Sequence, residues 1–116
     1  MATNYIGAGT FLANTTVTAF LGVVLSSNRG VGLATSTACD GFAITDAASG
    51  DYVSVAFLTN NGTLKGTITA APVTVGDTIY LGSSGQVSTT GTVTVGKSLS
   101  TTTSNGAVIE FLPKNI

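Results

Sequence analysis

Asp51-Tyr-Val-Ser-Val-Ala-Phe-Leu58 is the stretch that decides the fold. In an extended chain Val53, Val55 and Phe57 fall on one side and Tyr52 and Ser54 on the other, the period-two alternation of a half-buried strand. Asn60-Asn61-Gly62 follows at once. Asn and Gly both tolerate positive φ, so this is a strong hairpin signal, and Thr63 to Ala70 is expected to return antiparallel. Upstream, strands are expected over Phe20–Leu25, Gly30–Ala34 and Phe42–Thr45, with a turn at Ser26-Ser-Asn-Arg29. Downstream, Asp77–Leu81, Gln86–Thr89 and Val93–Leu99 have the same character, with a turn at Ser83-Ser-Gly85. Gly96 inside the last of these marks a bulge or a close backbone approach. Asn105-Gly106 then closes a hairpin into Ala107–Leu112. Helical spacing is nearly absent, and the one helical turn is expected near Thr37 to Asp40. No internal repeat shows a fixed period. The reading is an all-β chain: a single small β-sandwich or β-barrel of short antiparallel strands. Residues 1–13 show no clean period and read as an extended N-terminal arm, leaving 14–116 as the β domain.

The second informative feature is the scarcity of charge. Of 116 residues, 8% are Asp, Glu, Lys or Arg, against about 25% in ordinary soluble domains. The chain is 43% hydrophobic, which excludes disorder, since disorder needs low hydrophobicity and high net charge. A net charge of −1 offers no field to attract nucleic acid or anionic lipid. The four basic residues, Arg29, Lys65, Lys97 and Lys114, are scattered. Mean hydropathy is +0.48, yet the longest apolar run, Ala19 to Leu25, is far shorter than the roughly 20 residues of a membrane helix. A folded monomer normally covers itself with charge to stay soluble and apart from its neighbours. This chain is therefore expected to be covered by other protein.

Reactive chemistry is sparse. There is no His, so no Ser-His-Asp or Cys-His constellation can be built. The lone Cys39 can form neither an internal disulfide nor a thiolate zinc cluster. It reads as a small, partly buried hydrophobe. Asp40, Asp46, Asp51, Asp77 and Glu110 are the only acids. Asp46, Asp51 and Asp77 sit beside turn glycines or strand starts and read as turn-forming residues. A calcium site from Asp46 and Asp51 falls short of the six to eight oxygens the ion takes. Gly7-Ala-Gly9 lacks the Lys of a phosphate-binding loop. The sequons at Asn14 and Asn61 are expected by chance in a chain so rich in Asn and Thr. Trp is absent, which weakens a glycan-stacking or single-stranded nucleic-acid platform. No enzyme activity, cofactor or metal is expected.

Four segments carry a resemblance. They are Thr45-Asp-Ala-Ala-Ser-Gly-Asp-Tyr-Val-Ser-Val55; Val75-Gly-Asp-Thr-Ile-Tyr-Leu81 with Gly85-Gln-Val87; Val93-Thr-Val-Gly-Lys-Ser-Leu99; and Asn105-Gly-Ala-Val-Ile-Glu-Phe-Leu-Pro113. With the opening Met1-Ala-Thr-Asn-Tyr5, they resemble the capsid cement, or head decoration, proteins of tailed bacteriophages. Asn14 to Asp40 departs from that pattern. The resemblance implies a small β-rich protein, usually trimeric, that binds the outer surface of an assembled head and resists the pressure of packaged DNA. It implies the major capsid protein as partner, self-association as a homotrimer, no nucleic acid and no membrane. It also implies a place on the virion after synthesis in the cytoplasm of the bacterial host, and the opening residues lack the basic and apolar regions of a signal peptide.

Within this reading the N-terminal arm carries part of the capsid or protomer contact, through Tyr5, Ile6, Phe11 and Leu12. The alternative for Phe11 and Leu12 is entry into the domain's own core. The competing functional reading is a fibre-tip or adhesin-like β module that binds a surface glycan.

Overall fold

The computed structural model describes residues 8–35, 37–58, 62–69 and 71–113. Among the described residues ten strands follow one another: β1 (Ala8–Ala13), β2 (Gly22–Ser27), β3 (Gly30–Leu33), β4 (Gly41–Ala43), β5 (Tyr52–Phe57), β6 (Leu64–Thr67), β7 (Thr78–Leu81), β8 (Val87–Ser88), β9 (Thr94–Ser98) and β10 (Val108–Pro113). The all-β expectation holds. Residues 8–13 of the stretch read as an arm form β1, which pairs with β5 and β3 inside the fold. The helical turn lies at Ser83–Gly85 and not at Thr37–Asp40.

β1 to β5 form a closed barrel in the order β1-β3-β2-β4-β5. Its closing pair, β1 with β3, is parallel, an exception to the expected antiparallel pairing. β6 to β10 form a second five-stranded sheet in the order β6-β10-β9-β7-β8. The two edges of this sheet meet at one parallel bridge, Ile68 with Val87, so it curls into a second barrel closed at that point.

The two barrels are the same structure built twice. Gly41 faces Phe57, Phe42 faces Ala56 and Ala43 faces Val55 in the first. Gly96 faces Pro113, Lys97 faces Leu112 and Ser98 faces Phe111 in the second. Loop hydrogen bonds repeat as well. Gly50 N donates to Ala13 O and Phe20 N to Ala43 O; Gly106 N donates to Ile68 O and Gly76 N to Ser98 O. Val17 and Ala47 exchange both backbone bonds across the first barrel, and Val73 and Thr102 do so across the second. Each barrel is thus a pair of interlocked strand-loop-strand units. The internal repeat escaped the sequence reading because the repetition lies in backbone pairing, while the side chains at matched positions differ.

One close approach is kept in both copies. A Cβ on Gly41 would lie 2.5 Å from Ala56 O, and one on the equivalent Gly96 would lie 2.0 Å from Leu112 O. Opposite Gly96 the β7–β9 register shifts between Ile79 and Tyr80, so the expected bulge and close approach occur together.

The expected hairpin at Asn60-Asn61-Gly62 is not formed as such. β5 belongs to the first barrel and β6 pairs with β10 in the second, so that segment links barrels. Residues 60 and 61 lie outside the described residues.

Two apolar cores result. Ala13, Val17, Val23, Val31, Ala43, Ala47, Val53 and Val55 fill the first barrel. The other core holds the interior of the second barrel (Ile68, Ile79, Val87, Ile109 and Phe111 among others) together with Ala34, Phe42, Ala56 and Leu58 from the first barrel's outer face. β4 is therefore buried on both faces: Gly41 and Ala43 point into its own barrel, and Phe42 packs edge-on against Phe111 with ring centroids 5.2 Å apart.

Candidate functional site

Tyr5 and Ile6 lie outside the described residues. Phe11 points into the first barrel at its mouth, where it packs edge-on against Phe57 at 5.4 Å. The Arg29 guanidinium lies 5.3 Å from the Phe11 ring centre and donates to Thr10 O at 3.0 Å. Half-buried Leu33 joins Phe11 and Phe57 against the barrel core. Leu12 is also half-buried, on the opposite side of β1, and its N–H donates to Arg29 O. Of the four residues read as a contact site, the structure thus brings Phe11 and Leu12 to one barrel mouth, with Phe11 half-buried against the domain's own core.

The acids hold loops. Asp46 Oδ1 accepts from Ala19 N at 2.7 Å, Asp40 Oδ2 from Leu25 N at 2.8 Å and Asp77 Oδ2 from Thr74 N at 2.9 Å. Glu110 accepts from the Thr63 hydroxyl. Asp46 and Asp51 line one shallow depression with Thr16, Val17 and Tyr52. No cluster of three metal-ligating side chains occurs among the described residues. Cys39 is half-buried, and its thiol donates to Gly41 O at 3.2 Å. Burial, reinforced by the charge of Asp40, pushes the thiol up to about 12, so the reactive thiolate is scarce at neutral pH.

What the surface does offer is apolar. Tyr52, 71% exposed, and Ile44 stand on the outward face of β5 and the end of β4. Ile44 N donates to Ser54 O, and Leu99 N donates to Glu110 O in the same way. This register makes Leu99 the counterpart of Ile44 and Val108 the counterpart of Tyr52. All four are exposed. The same apolar pair is therefore displayed once on each barrel, on surfaces where water would favour polar side chains. The sequence reading missed these residues. The alternation of Asp51–Leu58 did place Tyr52 on the outer face, but only the register shows that Val108 occupies the same place.

Charge on this surface is thin. Lys65 is exposed, with its ammonium 5.8 Å from the centre of the Phe20 ring. Lys114, expected like Lys65 to mark wet surface, lies outside the described residues.

Comparison with known proteins bears on the fold and the family. No curated protein matches the chain. Among solved structures, the head fiber gp8.5 N base of bacteriophage phi29 superposes with a TM-score of 0.76 at 17% identity, with 93% of each chain covered. That likeness is one of fold. The model of the phage cement protein family matches residues 7–112. A low-charge, all-β chain displaying repeated apolar surface, matched over nearly its whole length, belongs to the phage cement protein family and is a structural component of a bacteriophage virion.

Proposed function

We propose that this protein binds the outer surface of an assembled phage head and cements neighbouring capsid subunits against the pressure of packaged DNA. The observation that carries the reading is the paired display of Ile44 with Tyr52 and of Leu99 with Val108. A capsid shell presents many copies of one subunit. A binder with the same contact element on each barrel can grip two copies of the same partner element and join them. Each contact is small, but once one is made the second forms at high effective concentration, so modest patches add up to firm attachment. Self-association as a homotrimer would extend the same multiplication. In this reading the protein performs no catalysis and uses no cofactor, nucleic acid or membrane. Its partner is the major capsid protein. Tyr5 and Ile6, ahead of β1, and half-buried Phe11 and Leu12 on it remain the proposed contact residues.

The test uses heads assembled without the protein. Purified protein added to such heads is expected to co-sediment with them at saturable occupancy and to raise their resistance to osmotic shock. Failure to bind heads, together with binding on a glycan array, would instead support the fibre or adhesin reading. Deletion of residues 1–7, which spares β1, tests the proposed terminal contact. Unchanged occupancy would remove Tyr5 and Ile6 from the site.

A further inference from the structure

The barrel-to-barrel junction within the chain has a free counterpart at each end of the molecule. Inside the chain, the outer side of the first barrel, at Gly22 and Phe42, sits on the second barrel beside the Ser83–Gly85 turn. A Cβ on Gly85 would lie 2.6 Å from Gly22 O. The strand register maps Gly22 and Phe42 onto Thr78 and Lys97, and Ala56 onto Leu112. On the second barrel that side is uncovered. Leu112 is 46% exposed, and it lines a shallow groove with Thr78, Gly96 and Lys97. Gly85 maps onto Arg29, which stands at the mouth of the first barrel over Phe11.

We infer that the groove side of the second barrel docks on the mouth of the first barrel of a second copy, repeating between chains the junction already present within each. Two different surfaces meet in such a contact, so it generates a ring of copies where the rotation closes and an open chain of copies where it does not, and not a two-fold dimer. The inference deepens the self-association proposed above and rests on it. The intermolecular contact is weaker than the internal one, for three reasons. Lys97 stands where Phe42 wedges in, and Leu12 N is already bonded to Arg29 O, whereas its counterpart Thr67 N bonds across the internal junction to Phe20 O at 2.9 Å. Lys97 and Arg29 also bring like charges to one rim.

The experiment is cross-linking of the full chain in a Cys39→Ser background. Because Gly22 and Gly85 abut, Thr78→Cys and Arg29→Cys should lie in reach of each other across the contact. Neither variant alone should give a disulfide-linked dimer on a non-reducing gel. A mixture of the two should give one, and the double variant should give a ladder of higher oligomers. Lys97→Glu, by replacing repulsion with attraction, is expected to tighten association several-fold in sedimentation. A wild-type protein that stays monomeric at all concentrations overturns both this inference and self-association. An oligomeric wild type whose mixed variants do not cross-link, or whose single variants dimerise with themselves, overturns this inference alone.

Discussion

In the first barrel Leu12 N closes the ring by bonding to Arg29 O, and Phe11, Leu33 and Phe57 stop the mouth from inside. In the second, the equivalent Thr67 N is taken by Phe20 of the first barrel, and Gly66, Thr89 and Pro113 stand at the equivalent positions. The first barrel is self-contained, with small Ala and Val side chains in its interior. The second carries larger residues and shares its core with Phe42, Ala56 and Leu58 of its neighbour. The lesson is that one backbone plan, used twice, can give one unit that folds around itself and one that is completed by another unit.

This contrast can be broken most forcefully at Phe42. Phe42→Ala should cost about 3–5 kcal/mol in denaturant unfolding, the usual cost of removing a buried Phe. Hydrogen exchange should show the loss concentrated in β6 to β10. A loss confined to β1 to β5 would contradict the shared core. Next come the matched glycines. Gly96→Ala drives a Cβ into Leu112 O and Gly41→Ala drives one into Ala56 O. Because backbone must move in each, both should lose about 1–3 kcal/mol or more. A neutral result at either position would show that the two copies are not held by the same approach.

A smaller difference separates Ser98 from its counterpart Ala43. Ser98 is buried; its hydroxyl donates to Ser100 O at 2.8 Å and accepts from Ser100 N at 3.1 Å. Ser98→Ala should cost about 1–2 kcal/mol by leaving those groups without their partner. Ala43→Ser, by placing a hydroxyl in an apolar interior, should also destabilise.

Cys39, beside Gly22 at the junction, gives an effect that is read only through pH. Its thiol titrates near 9.0 when unfolded and is pushed up to about 12 by burial in the fold. The native state holds the proton more tightly, so this contribution is complete below pH 9.0 and fades as pH rises from there toward about 12. Between pH about 8 and about 10.5 the wild type should lose more stability than Cys39→Ala in parallel denaturant titrations. Equal slopes would place the thiol in contact with water.

Much of the strand content was legible because alternation and turn residues are local. The pattern in Asp51–Leu58 located β5, and Gly96 announced a bulge or a close approach, of which both occur. What the chain hid was long-range. Asn60-Asn61-Gly62 has the chemistry of a hairpin, but turn chemistry does not say whether the next strand pairs with the last one or starts a new barrel. The repeat was hidden for a related reason. Gly50, Gly76 and Gly106 hold positive φ at equivalent places, each three residues before a buried Val53, Ile79 or Ile109. The fourth such place holds Phe20, with φ of 69°, and that one departure breaks the pattern. The apolar pairs were hidden too, because Tyr52 and Val108 are different residue types whose shared place is shown by register.

The most direct test of the account is occupancy on heads lacking the protein, compared among the wild type, Ile44→Ser with Tyr52→Ser, Leu99→Ser with Val108→Ser, and all four together. These side chains are exposed, so each variant should fold. The account predicts that either pair of changes weakens binding by a comparable factor and that the fourfold variant fails to decorate. Full occupancy by the fourfold variant would contradict it.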